Sequence, residues 1–184
     1  GPWDRLVRIE VASGRATSIF SLPGDLTPVQ SLFGLGLAMS PSGRELAVAI
    51  QVQQDRKARL FRIGVDCTGY KELYEPYRTG GAAEKVAWTR DGIYFSEAVM
   101  SDGPQPVVQR WRVMRIAPEG GAAQSIAEIN GNDMAATFDV SPDGSRIAFH
   151  PIPSATQSFS PSAGPRRELW VFELAAALEA VAGR

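Results

Sequence analysis

The sequence predicts an all-β fold, a β-propeller of four-stranded antiparallel blades with about three and a half blades in the chain, from two observations. The first is a turn that recurs in matching surroundings: Ser40-Pro41-Ser42-Gly43, Thr89-Arg90-Asp91-Gly92 and Ser141-Pro142-Asp143-Gly144. Each copy stands between two apolar stretches, Leu37-Ala38-Met39 and Leu46-Ala47-Val48, Val86-Ala87-Trp88 and Ile93-Tyr94-Phe95, Phe138-Asp139-Val140 and Ile147-Ala148-Phe149. That is the pattern of a hairpin. The second is the period: Ser40, Thr89 and Ser141 stand about fifty residues apart, the length of a four-stranded blade.

The turn chemistry accounts for the hairpins. Proline presets φ at the first corner, Asp or Ser bonds back to nearby backbone, and glycine takes the positive φ that returns the chain antiparallel. A second hairpin recurs between these. Leu6 to Val11 leads through Gly14 to Ala16-Thr17-Ser18-Ile19-Phe20. Leu60-Phe61-Arg62-Ile63 leads through Gly69 to Tyr70 to Tyr74, and Trp111 to Ile116 leads through Gly120-Gly121 to Gln124-Ser125-Ile126. Glu168 to Phe172 begins a fourth copy. With A and B naming the strands around the Ser-Pro-Asp-Gly turn, the chain reads C-D, A-B-C-D, A-B-C-D, A-B-C.

Three segments make up the predicted organisation. Gly1-Pro2 reads as a scar left by a tag-cleaving protease, residues 3–174 as propeller blades, and residues 175–184, alanine-rich, as a short C-terminal helix or tail in place of a last D strand.

Composition excludes several partners. The chain has 184 residues, 44% of them hydrophobic and 21% charged, with a net charge of −1. That is an ordinary globular composition, not basic enough to track a nucleic-acid backbone. The longest apolar run is Leu32 to Met39. It falls well short of the roughly 20 residues of a membrane span, so no membrane contact by this segment is expected. A single Cys67 leaves no internal disulfide, and with a single His150 no all-Cys/His zinc site.

At Ser141 to Phe149, with Leu169-Trp170 and the Gly120-Gly121 turn, the pattern resembles the TolB-like (WD-repeat-like) β-propeller repeat family, and the resemblance extends from Leu6 to Leu174. The second copy departs from it, with Thr-Arg for Ser-Pro and two residues fewer after its glycine. The resemblance implies a protein- or peptide-binding scaffold or sensor, or the accessory propeller of a larger serine-peptidase-type hydrolase. It also implies an extracytoplasmic part of a bacterial membrane-anchored protein, and it normally comes with more blades than are counted here.

The chemistry-bearing residues support binding over catalysis. No Gly-x-Ser-x-Gly elbow is present, so no catalytic residue is assigned, and His150 reads as a loop-packing residue before Pro151. Asn130-Gly131-Asn132-Asp133 is rich in oxygen ligands but lacks a calcium loop's spacing and reads as a turn; no metal or cofactor is expected. Gly34-Leu35-Gly36 lacks the helix that would make a phosphate cradle. Trp88, Trp111 and Trp170 read as packing between blades, with an aromatic ligand cage as the alternative.

In an up-and-down blade the A-B and C-D connections lie at one end and the B-C and D-A connections at the other. The second set is the longer: Leu22 to Phe33, Gln51 to Lys57, Pro76 to Glu84, Met100 to Val107, Asn130 to Met134 and Pro151 to Arg167. Long loops on a rigid scaffold carry binding residues, so this end is the candidate face. Tyr77, Arg78, Phe159 and Arg166 are its expected contact residues, because aromatics and arginine dominate interface energetics. An arc of this length leaves blade faces and strand edges uncovered. Upstream blades, or a second copy completing the ring as a homodimer, would cover them.

Overall fold

A computed structural model of the chain describes residues 5–21, 36–51, 57–66, 68–76, 83–105, 107–130, 137–141, 143–150, 170–175 and 179. The described residues form four antiparallel sheets. The first is the hairpin β1 (Arg5–Ile9) and β2 (Ala16–Ser21). The second runs in chain order through β3 (Leu37–Met39), β4 (Glu45–Gln51), β5 (Ala58–Gly64) and β6 (Lys71–Tyr74). The third repeats it with β7 (Ala83–Thr89), β8 (Gly92–Met100), β9 (Val108–Ile116) and β10 (Gln124–Asn130). The fourth holds β11 (Thr137–Val140), β12 (Arg146–His150) and β13 (Trp170–Glu173). This is the C-D, A-B-C-D, A-B-C-D, A-B-C order read from the sequence. Leu174, Ala175 and Glu179 carry helical backbone, and the rest of 175–184 lies outside the described residues.

The recurring turn has the same hydrogen bonds in its first and third copies. The Gly43 amide donates to the Ser40 carbonyl at 2.9 Å and the Glu45 amide to Ser40 Oγ at 3.0 Å. Gly144 and Ser141 repeat the first bond at 2.8 Å, and Arg146 repeats the second at 2.9 Å. Gly43 and Gly144 sit at φ 70 and φ 74 degrees. Any side chain is strained there. The middle copy is built differently. Thr89 pairs directly with Gly92, so Gly92 already belongs to β8 and the two residues missing after it are those of a longer turn.

The core lies between the sheets. Ala47, Ala49, Leu60 and Leu73 of the second sheet meet Val86, Ile93, Phe95, Met114 and Ile116 of the third. On the other face of the third sheet, Tyr94 and Val113 meet Phe138 and Ile147 of the fourth, together with Leu174. β8 is buried on both faces because its sheet lies between the second and the fourth, and β4 is buried on both faces too, its second face carrying the cluster Leu46, Val48, Ile50, Phe61 and Ile63. Burying a large side chain of this kind contributes about 1.5–3 kcal/mol, so inter-sheet contact holds the arc together. Polar contacts pin the same seams: Arg62 Nη1 donates to the Pro118 carbonyl at 3.0 Å, Lys71 Nζ donates to the Glu119 carbonyl, and Lys85 Nζ lies 3.2 Å from Asp139 Oδ1.

Candidate binding face

The strand bounds sort the connections by end. By strand direction, the connections 10–15, 40–44, 65–70, 90–91, 117–123 and 141–145 leave the sheets at one end, and 22–36, 52–57, 75–82, 101–107, 131–136 and 151–169 leave them at the other. The contrast rests mainly on 22–36, 75–82 and 151–169. The C-D turn 117–123 is as long as 101–107, so the C-D connections are looser than the tight turns the sequence suggests.

Tyr77, Arg78, Phe159 and Arg166 lie outside the described residues, as do Asn132 and Asp133. His150 ends β12, its backbone paired with Thr137. Trp111 is buried with Ala58 and Ala98, and Trp88 packs against the cluster between the second and third sheets, so these two rings are absorbed by blade packing.

At this end the described residues assemble a polar seam that motif reading does not find. Register places Glu97 of β8 opposite Arg112 of β9, and Arg112 opposite Glu128 of β10. Directly opposed residues share a face of the sheet, so the three form a carboxylate–guanidinium–carboxylate ladder. Arg112 Nε donates to Glu128 Oε1 at 3.0 Å, and Nη1 lies 3.8 Å from Glu97 Oε2. Arg110 Nε stands 3.7 Å from Glu128 Oε2. From the second sheet, the Tyr74 hydroxyl donates to Glu97 Oε1 while its ring tilts against Phe95, centroids 4.8 Å apart. Burial, then the bond to Glu97 and its charge, push the Tyr74 hydroxyl well above its ordinary pKa. Glu97 is buried, and its Oε2 accepts no hydrogen bond. The rim of the second sheet adds a salt-bridge cluster, with Lys57 Nζ 2.7 Å from Glu75 Oε1 and Arg59 3.5 Å from both Glu72 and Glu75. One sequence signal points to this seam: Glu97 is the single charge in the run Ile93 to Met100.

The arrangement positions charge but no nucleophile with its base. Among the described residues no group of three or more His, Cys, Asp and Glu side chains could hold a metal ion, and no helix is long and apolar enough to cross a membrane.

No protein-family model matches the sequence, and no curated protein matches it. Solved structures do match the fold. An oligogalacturonate lyase in complex with manganese superposes with a TM-score of 0.63 at 12% identity, over 95% of this chain and 46% of that one. TolB from Acinetobacter baumannii superposes at 0.54 with 14% identity, over 93% of this chain and 35% of that one. A chain of a nidogen/laminin complex superposes at 0.54 with 15% identity, over 90% of this chain and 56% of that one. The fold is a TolB-like β-propeller. The propeller here is partial, and the chain spans roughly a third to a little over half the length of these neighbours. At such identities the likeness carries the fold and no activity.

Proposed function

We propose that this chain is a non-enzymatic propeller module that binds a protein or peptide through the long-loop end of its blades. It acts as the scaffold or sensor element of a larger, membrane-anchored bacterial protein, on the extracytoplasmic side. What supports this reading is that the three longest connections, 22–36, 75–82 and 151–169, join strands at the same end of antiparallel sheets, the second to fourth of which are locked by inter-blade packing. A rigid frame presenting long loops on one side is the usual arrangement of a recognition surface. The neighbour from a nidogen/laminin complex, an assembly of proteins, supports a protein partner. Tyr77, Arg78, Phe159 and Arg166 are the contact residues proposed, and a second copy of the chain is proposed to complete the ring.

Selection of displayed peptides against the immobilised chain tests this. Binders are expected to be lost on the Tyr77→Ala, Arg78→Ala, Phe159→Ala, Arg166→Ala variant and kept on Arg44→Ala with Arg90→Ala at the opposite end. Binders indifferent to the first variant would overturn it. A second reading, the accessory propeller of a serine-peptidase-type hydrolase, draws on the lyase being an enzyme of which this chain matches less than half. A Gly-x-Ser-x-Gly segment in adjoining coding sequence would select that reading.

A further inference from the structure

We infer that Asp102-Gly103 is a site of spontaneous aspartate isomerisation, and that the fold withholds the same reaction from the other Asp-Gly pairs of the chain. The sequence holds three such pairs, Asp91-Gly92, Asp102-Gly103 and Asp143-Gly144. The chemistry open to each is the same. The glycine amide nitrogen attacks the aspartate Cγ, the Cγ–OH bond breaks, and the hydroxyl leaves with the amide proton as water, closing a five-membered succinimide. Water then adds back. Opening at the α-carbonyl leaves the chain running through Cβ and Cγ, with one methylene more in the backbone and no net change in composition. Glycine favours the first step because it has no side chain to shield its nitrogen or restrict its backbone. From the fold the step needs a glycine amide that is not engaged and a peptide plane able to turn onto the carboxyl group.

Two of the pairs lack both. Gly144 is buried, and its amide donates to the Ser141 carbonyl at 2.8 Å. The Asp143 carboxylate accepts from the Ser145 amide at 3.1 Å and from the hydroxyls of Ser141 and Ser145. Those donors fix the side chain and favour its ionised form, the poorer electrophile. Gly92 is buried as well, the first residue of β8 and paired with Thr89. Arg115 Nη2 donates to the Asp91 carbonyl, which belongs to the same peptide unit as the Gly92 nitrogen, and the Asp91 amide donates to Thr89 Oγ1 at 3.2 Å. That peptide plane is clamped.

Asp102 and Gly103 are both exposed. Their loop is closed at its base, where the Ser101 amide donates to the Val107 carbonyl at 2.8 Å and the Val107 amide to Ser101 Oγ at 3.0 Å. Residues 102–105 stand beyond that closure. Among the described residues none accepts a hydrogen bond from the Gly103 amide, and a Cβ placed on Gly103 meets nothing within 4 Å. Exposed loop tips of this kind are where backbone change is tolerated. The added methylene enters a loop at the candidate face and leaves the sheets intact, so that face changes with the age of the chain.

The full chain is held folded at neutral pH and body temperature, and in parallel unfolded in urea, and isoaspartate is located by peptide mapping with an isoaspartyl methyltransferase as the probe. In the folded chain isoaspartate is expected to accumulate at Asp102 several-fold faster than at Asp91 or Asp143. In urea the three rates are expected to converge, because each aspartate is followed by glycine. Asp102→Glu, whose carboxyl group would have to close a six-membered ring, is expected to abolish the signal at that position with an unchanged melting temperature. Equal rates at the three sites of the folded chain would overturn the inference, as would a signal that survives Asp102→Glu. A spread of rates in urea as wide as in the folded chain would overturn it too, because the order would then come from sequence and not from the fold. Deamidation at Asn130 changes the peptide mass and isomerisation does not, so the two reactions are read separately.

Discussion

Tyr74 and Glu97 join two blades through one hydrogen bond, the phenol of the outermost strand of one sheet donating to a buried carboxylate on an inner strand of the next. The bond requires a particular alignment of the sheets, because the Glu97 carboxylate depends on Tyr74 and Arg112 for compensation.

Replacing Tyr74 with Phe keeps the ring against Phe95 and removes the donor. A buried acceptor left unpaired costs about 1–3 kcal/mol, so Tyr74→Phe is expected to lower stability by that much in urea, moving the midpoint with an unchanged slope. A loss below about 0.5 kcal/mol would mean that water replaces the phenol and that the contact does not align the blades.

Asp143 tests the turn by pH. Its carboxylate accepts from the Ser145 amide at 3.1 Å and from the hydroxyls of Ser141 and Ser145, and the hydroxyl of Ser141 above all holds its pKa down at about 2. A carboxylate depressed on folding adds stability above its unfolded pKa of about 3.9, and that stability drains away as pH falls through the folded value. Asp143→Asn is therefore expected to flatten the loss of stability between about pH 4 and pH 2, followed by thermal melts across that range.

The two turn glycines differ in what surrounds them. A Cβ at Gly43 meets nothing within 4 Å, whereas one at Gly144 meets Thr89 Cβ at 3.4 Å across the seam. Gly43→Ala is expected to cost about 1–2 kcal/mol from the positive φ alone. Gly144→Ala is expected to cost about the same, because the added Cβ meets Thr89 only at van der Waals distance. A markedly larger loss at Gly144, measured by urea denaturation, would show that the Thr89 side of the seam cannot accommodate a methyl group.

Core and rim separate by size of effect. Leu60 is fully buried between the second and third sheets. Leu60→Ala is expected to cost about 2–5 kcal/mol by chemical denaturation. Val107 is 57% exposed at the long-loop end. Its replacement by Ala should change stability by less than about 0.5 kcal/mol. A partner that binds this end would read Val107→Ala as a loss of affinity without a loss of stability.

Strands, turns and their order were legible because they are local. A glycine at positive φ, a hydroxyl or carboxylate that bonds its own turn, and alternation along a strand act over a few residues, and Gly43, Gly144, Ser40 and Ser141 announce them directly. The two residues missing after Gly92 likewise mark the tighter turn. Of the polar seam only the lone charge of Glu97 was legible, and its partners were not, because Tyr74 and Glu97 stand 23 residues apart in chain order and meet only when one sheet lies on the next. Nor did composition distinguish Leu37 and Met39 from the core residues around them. Alternation assigns each a side of its strand, but which side is covered is a property of the neighbouring sheet. Residue order is enough to specify the repeat and the blade. Which charges are buried, which rings pack and which apolar faces remain open follow from the stacking of the sheets, because burial depends on what arrives from elsewhere in the chain.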